Sequence, residues 1–145
     1  ENGVSSKDFL ALCEAFDRRG AAALHISGGL LGGPAVSFSP AIEENPQKGF
    51  FEDAAHAVAK RVKHASIISV GGYRTPAMIE RTLAEGDISL VSLGRPLTSE
   101  PDLVSRWAHG DRCKARCISC NRCFGSKNII TCVAFAETMK KGEAE

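Results

Sequence analysis

Apolar and polar positions along this chain repeat with two different periods, and the changes of period mark its elements. Phe9, Leu12, Cys13 and Phe16 recur at helical spacing behind Ser5 and Ser6, either of which can cap a helix, and Gly20 ends it. The run Ala21–Ser27 (Ala-Ala-Ala-Leu-His-Ile-Ser) predicts a buried strand leading into Gly28-Gly29. From Leu30 to Gly49, where Gly32, Gly33, Pro34, Pro40 and Pro46 fall, no period is sustained. That stretch reads as a long loop, and loops of such length in compact domains are often functional. Helical spacing returns over about Phe50 to Lys63, with Phe51, Ala54, Ala55, Val58 and Val62 on one face, and a strand over Ser66–Val70 follows. Thr75 then caps a helix with Pro76 in its first turn, and Gly86 stops it after Leu83. A strand over Ile88–Leu93 comes next. Ser99, Pro101 and Asp102 open a last helix through Trp107, which Gly110 closes.

This order, αβαβαβα, predicts an α/β protein whose three strands are parallel and joined by right-handed crossovers. After Gly110 the composition shifts to cysteine, lysine, arginine and asparagine, dividing residues 1–110 from a Cys-rich tail over 111–145. Three parallel strands cannot close a barrel, which takes eight strands and about 250 residues. Left open, their outer strands would be exposed edges of the kind soluble proteins avoid. The chain is therefore expected to be part of a larger barrel, or to have the rest supplied by partner chains.

Bulk composition narrows the setting. The 145 residues are the size of one ordinary domain, 43% apolar and 24% charged. A net charge of +1 gives no reason to expect nucleic acid or a membrane surface as partner. No apolar run approaches the roughly 20 residues that span a bilayer, and the start carries no signal-peptide pattern. The chain begins Glu1-Asn2-Gly3 without a methionine, so a processed or excised piece is expected. Of the six cysteines, Cys13 stands alone while the rest fall between Cys113 and Cys132. Such a tight cluster favours metal over a disulfide scaffold, and with it a reducing, cytoplasmic compartment.

Two strand ends carry the candidate chemistry. Ile67-Ile68-Ser69-Val70 runs into Gly71-Gly72-Tyr73-Arg74, and Leu90-Val91-Ser92-Leu93 runs into Gly94-Arg95-Pro96. Glycine removes the Cβ that would hold an anion away, backbone N–H groups become donors, and arginine adds a charged fork. Either loop alone could be an ordinary turn with a solvated arginine. In consecutive strand–helix units they predict a phosphate site at the ends of neighbouring parallel strands.

With Glu100-Pro101-Asp102-Leu103 and Ala23-Leu24-His25-Ile26-Ser27-Gly28-Gly29, these loops resemble the Old Yellow Enzyme-like NADH:flavin oxidoreductases, in the branch with 2,4-dienoyl-CoA reductase and trimethylamine dehydrogenase. The resemblance runs from about Ser5 to Cys132. It implies the C-terminal portion, about strands six to eight, of an FMN-binding TIM (β/α)8 barrel with a Cys-rich extension. By the same resemblance Gly71, Gly72, Gly94 and Arg95 hold the FMN phosphate. NAD(P)H then reduces the flavin, and flavin N5 passes hydride to an α,β-unsaturated carbonyl-type acceptor. The family's first five strands, which carry the substrate-gripping pair, the proton donor and most isoalloxazine contacts, are missing. No catalytic residue is therefore expected here, Tyr73 included, and the chain by itself is expected to be inactive.

Cys117, Cys120, Cys123 and Cys132 give C-x2-C-x2-C-x8-C, thiolates close enough to converge on one soft metal centre. The family's cluster-binding branch has Cys-Ile-x-Cys-Asn at this place, with one residue more before its third cysteine and a longer gap to its fourth. A [4Fe–4S] cluster, zinc and free thiols all stay open, with Cys113 as a substitute ligand. His25 reads as a core histidine rather than a flavin contact. His56, His64 and His109 read as structural or solvated, as do Lys60-Arg61-Lys63 and Lys140-Lys141. Cys13 reads as packed core, and Trp107 with Leu103 as helix packing. Two other functions share the features. One is a non-catalytic phosphate- or metal-binding module that works only with other subunits. The other is a phosphosugar-type barrel enzyme without flavin, which leaves the cysteine tail unexplained.

Overall fold

Ser5 begins the first helix by reciprocal capping: its hydroxyl accepts from the Asp8 N–H at 3.1 Å and donates to the Asp8 carboxylate at 2.7 Å. In the computed structural model, residues 3–28, 48–125 and 131–135 are described. The loop expected from Leu30 lies outside them up to residue 47, as do Gly29 and the lysines at 140–141. The elements are α1 (Ser6–Arg18), β1 (Ala23–Ile26), α2 (Glu52–Ala59), β2 (Ser66–Val70), α3 (Pro76–Ala84), β3 (Leu90–Ser92), α4 (Arg95–Ser99), α5 (Leu103–Ala108) and a 3-10 turn (Arg122–Gly125). The three strands form one sheet in the order β1-β2-β3, parallel throughout, with His25 beside Ile68 and Ile68 beside Leu90. No described helix is long and apolar enough to cross a membrane.

By its internal contacts the chain divides into two units, Glu1–Tyr73 with Met78–Ser92, and Arg74–Ala77 with Leu93–Glu145. The compositional break at Gly110 lies inside the second.

In the first unit, strand alternation sends Ile26 and Ile67 into a core with Cys13, Ala55, Val58 and Ile88, against which Phe9, Leu10, Leu24 and Phe51 pack. Cys13 is core, as its place on the helix suggested, and burial pushes its thiol pKa up. The expected buried strand at Ala21–Ser27 is shorter, and only Ile26 is fully buried within it. Ala23 and His25 point to the other sheet face, which is open: His25 is exposed rather than core, and Leu90 is 55% exposed. On α1 the buried stripe passes through Cys13 and Asp17, while Leu12 and Phe16 are exposed. A carboxylate can take the inward position because three backbone N–H groups meet it: Lys63 at 2.9 Å, His64 at 2.9 Å and Ala65 at 2.7 Å. Asp17 thus ties the end of α1 to the entry of β2. Those donors, Lys63 and Ala65 foremost, hold its carboxyl below the usual range.

In the second unit Gly94 and Arg95 do not form the open loop expected of them, because Arg95 begins the short helix α4, with Pro96 in its first turn. Leu103 is fully buried at the start of α5. The Trp107 indole N–H donates to the Cys113 carbonyl at 2.9 Å, fixing the chain as it leaves that helix.

Candidate functional site

At the end of β2, Gly71 and Gly72 take φ of +93° and +83°, a region that side-chain-bearing residues rarely adopt. The ring of Phe50 fills the space beside both: a Cβ on either glycine would come within 3.0 Å of it. Phe50 is held there by its own N–H, which donates to the Gly71 carbonyl at 2.9 Å. The glycines therefore admit a neighbouring ring as well as a sharp turn.

Beneath this loop lies a buried polar network. Tyr73, 1% exposed, donates its hydroxyl proton to Glu52 Oε2 at 3.0 Å and lies 2.9 Å from Ser69 Oγ, whose proton it can accept. The Glu52 carboxylate, equally buried, also receives the Gly49 N–H at 2.9 Å, Thr82 Oγ1 at 3.0 Å and the Arg81 guanidinium at 2.8 Å. Burial pushes the Glu52 pKa up, but the donors from Gly49, Arg81, Thr82 and Tyr73 outweigh it and hold the carboxyl below its usual range. For Tyr73 burial wins, and its phenol is pushed up to about 12. Glu52, His56 and Glu85 also bring potential ligand atoms within 4.8 Å of one another. Arg81 already pairs with both carboxylates, at 2.8 Å and 2.6 Å, so that trio is balanced by an internal cation.

In the second unit Gly94 has open space where a Cβ would stand. Arg95 follows it, and its Nη1 donates to Asn121 Oδ1 and, at 3.5 Å, to the Ser119 carbonyl. Arg74 is buried, donates to Ser119 Oγ, and accepts the Ala115 N–H on its own carbonyl at 2.8 Å. Both arginines read from the glycine loops thus meet the cysteine segment. There Ala115, Cys117 and Ser119 are buried while Arg116, Ile118 and Cys120 are exposed, and Ser119 and Asn121 adopt φ of +57° and +60°. Cys117, Cys120, Cys123 and Cys132 line one cavity of about 390 Å³ together with Arg95 and Thr98. Burial first, then the neighbouring Cys117, pushes the Cys123 thiol up. Cys113 does not line this cavity; it is exposed, and its N–H donates to Asp111 at 2.8 Å.

A model of the NADH:flavin oxidoreductase / NADH oxidase family matches residues 36–113, more than half of the chain. The chain belongs to that family. It is similar to the NADH oxidase of Thermoanaerobacter brockii, 26% identical over 129 residues that cover 88% of this chain and 19% of that protein. An NADH-dependent flavin oxidoreductase of Neonectria sp. (strain DH2) is 34% identical over 86 residues, covering 54% of this chain and 11% of the relative. The metal reductase of Desulforamulus reducens is 26% identical over 136 residues, covering 90% and 20%. The chain thus spans a fifth or less of the length of these curated relatives.

Membership in the NADH:flavin oxidoreductase family makes flavin and NADH the cofactor classes to fit. Both glycine loops fall within the matched span, and the four cysteines lie beyond it. The open side of Gly94 suits the close approach of an anion, and thiolates are the ligand type a soft metal takes. The four cysteines line one cavity, but no three of their sulfurs lie within 4.8 Å of one another, so a metal would have to draw them together. The network around Glu52 gives no sequence signal of its own kind, since its members are scattered from residue 49 to residue 82 at no fixed spacing. The one available hint is the lone tyrosine directly after two glycines, a buried hydroxyl that must find a partner.

Proposed function

We propose that this chain is the portion around strands six to eight of an FMN-dependent (β/α)8-barrel oxidoreductase, and that its part in the reaction is to hold the FMN phosphate. The observation that carries the reading is the parallel sheet β1-β2-β3, with glycine loops after β2 and β3 inside the family-matched span. Backbone N–H groups of Gly71, Gly72 and Gly94 would face the phosphate and Arg95 would balance its charge, as at the phosphate loops of such barrels. FMN, when bound, supplies hydride transfer from NAD(P)H to an α,β-unsaturated carbonyl-type acceptor. The edges β1 and β3 are where the remaining barrel strands would pair, and the open face, with His25 and Leu90 exposed, would line the barrel interior. Reaction in a reducing cytoplasm, with the catalytic groups on those strands, completes the reading.

The cysteine cavity supports a second centre in the same protein. Cys117, Cys120, Cys123 and Cys132 would ligate a [4Fe–4S] cluster, or zinc in its place. An iron–sulfur cluster there would supply single-electron transfer to or from the flavin.

FMN and riboflavin differ only in the phosphate, so their relative affinity for the full-length protein tests the assignment. The wild type is expected to prefer FMN. Gly94→Ala and Arg95→Gln are each expected to cut that preference by about tenfold, the equivalent of one charge-assisted hydrogen bond. Equal affinity of the wild type for FMN and riboflavin would overturn the phosphate reading.

A further inference from the structure

We infer that Arg74 and Arg95 are positioning residues for the cysteine loop, holding Cys117–Cys123 in a shape in which all three of its cysteines line one cavity. The functional purpose of this clamp rests on the proposed thiolate metal centre; the clamp itself does not. Two of the loop's residues, Ser119 and Asn121, stand in left-handed backbone conformations that cost free energy unless their surroundings enforce them. Those two residues are the ones the arginines grip. Arg74 donates to the Ser119 hydroxyl, and Arg95 donates to the Asn121 side chain and the Ser119 carbonyl. At 3% exposure, Arg74 is placed for an internal partner rather than for solvent.

The segments on either side are pinned as well. Buried Glu100 accepts the Arg116 N–H at 2.5 Å and pairs with Arg106 at 2.9 Å, fixing the start of the segment. The Arg116 guanidinium lies 5.0 Å over the ring of Phe135, three residues beyond Cys132, so the fourth thiol's segment is tied to the first. The arginine side chains reach the middle of the loop at Ser119 and Asn121, while the Arg74 carbonyl holds Ala115 just before it.

Asn121 allows the clamp to be removed without removing the turn. Asn121→Gly keeps the freedom to adopt positive φ but deletes the acceptor, whereas Asn121→Asp keeps the acceptor. In the metal-free full-length protein, iodoacetamide labelling of buried Cys117 is compared with that of exposed Cys113. Asn121→Gly and Arg74→Gln are expected to raise the Cys117:Cys113 rate ratio by about tenfold, the loss of one charge-assisted hydrogen bond expressed as local opening. Asn121→Asp is expected to match the wild type. After identical incubation with ferrous iron and sulfide, or with zinc, the Gly and Gln variants should retain less than half the metal of the wild type, and Asn121→Asp should retain all of it. An unchanged labelling ratio in both Asn121→Gly and Arg74→Gln would overturn the inference. A changed ratio in a protein whose wild type takes up neither metal would uphold the clamp and overturn the metal centre.

Discussion

Replacing Tyr73 by phenylalanine removes one oxygen atom from the interior and leaves the ring in place. That oxygen joins Glu52 to Ser69, and all three side chains are at most 1% exposed. A hydrogen bond to a charged acceptor is worth about 1.5–3 kcal/mol, and the Ser69 hydroxyl, orphaned in the core, adds about 1–3 kcal/mol more. The two penalties overlap because the groups share one network, so we expect Tyr73→Phe to cost about 2–4 kcal/mol. Urea unfolding of the full-length protein, followed by circular dichroism, measures it. Tyr73→Phe with Ser69→Ala removes both ends of one contact and should fall short of the additive cost by about 1 kcal/mol. Alkaline pH provides an independent arm. The folded phenol is pushed up to about 12, above its unfolded value near 10. The neutral phenol's contribution is therefore complete below pH 10 and is lost as pH rises through 12, because the unfolded chain releases the proton first. Phenylalanine at this position should abolish that part of the alkaline slope. A cost below about 0.5 kcal/mol, or an unchanged slope, would refute the claim that the hydroxyl braces the first glycine loop.

Three further outcomes follow from the same packing. Glu52 and Asp17 are both held below their usual pKa, so their contributions are complete above the ordinary carboxyl range and vanish as pH falls through the folded values; acid unfolding should come at higher pH in Glu52→Gln and Asp17→Asn. Gly71→Ala, at φ +93° and against the Phe50 ring, should cost about 1–2 kcal/mol in urea unfolding from backbone strain alone, with FMN retention falling alongside. Gly94→Ala meets open space and should leave the flavin-free protein within about 0.5 kcal/mol of the wild type while FMN affinity drops, which separates a binding glycine from a folding one.

The framework was legible because local signals agreed with one another. β-branched runs marked β2 and β3, Ser5 or Ser6 marked the start of α1 (Ser5 in the fold), Thr75 and Pro76 marked that of α3, and Gly20 and Gly86, both at φ +84°, marked two ends. The short helix α4 had a signal that could have been used: glycine, arginine and proline suit a first helical turn as well as a loop. Phe16 over Asp17 on the inner face of α1 could not have been settled from periodicity, because Asp17 is drawn inward by N–H groups forty-six to forty-eight residues away. The same holds for Glu52 and Tyr73, whose pairing is a property of the folded unit.

The glycine loops show where motif reading needs a structure. Read as a motif, each glycine clears space for an anion and each arginine supplies charge. In the folded chain the space at Gly71 and Gly72 belongs to Phe50, and that at Gly94 is open. Arg74 and Arg95, meanwhile, both reach Ser119 in the cysteine loop. Charge that the sequence assigned to a phosphate is therefore already engaged by the cysteine loop through at least one nitrogen of each arginine. If Arg95 serves both, a single guanidinium ties the phosphate-holding turn to the thiol loop, and Arg95→Gln must weaken FMN binding and loosen Cys117 together. Asn121→Gly, which frees the Arg95 guanidinium from its Asn121 partner but keeps the charge, must loosen Cys117 while costing FMN less than Arg95→Gln does. An Arg95→Gln variant that loosened Cys117 but left FMN binding unchanged would show that the phosphate and the cysteine loop do not share Arg95.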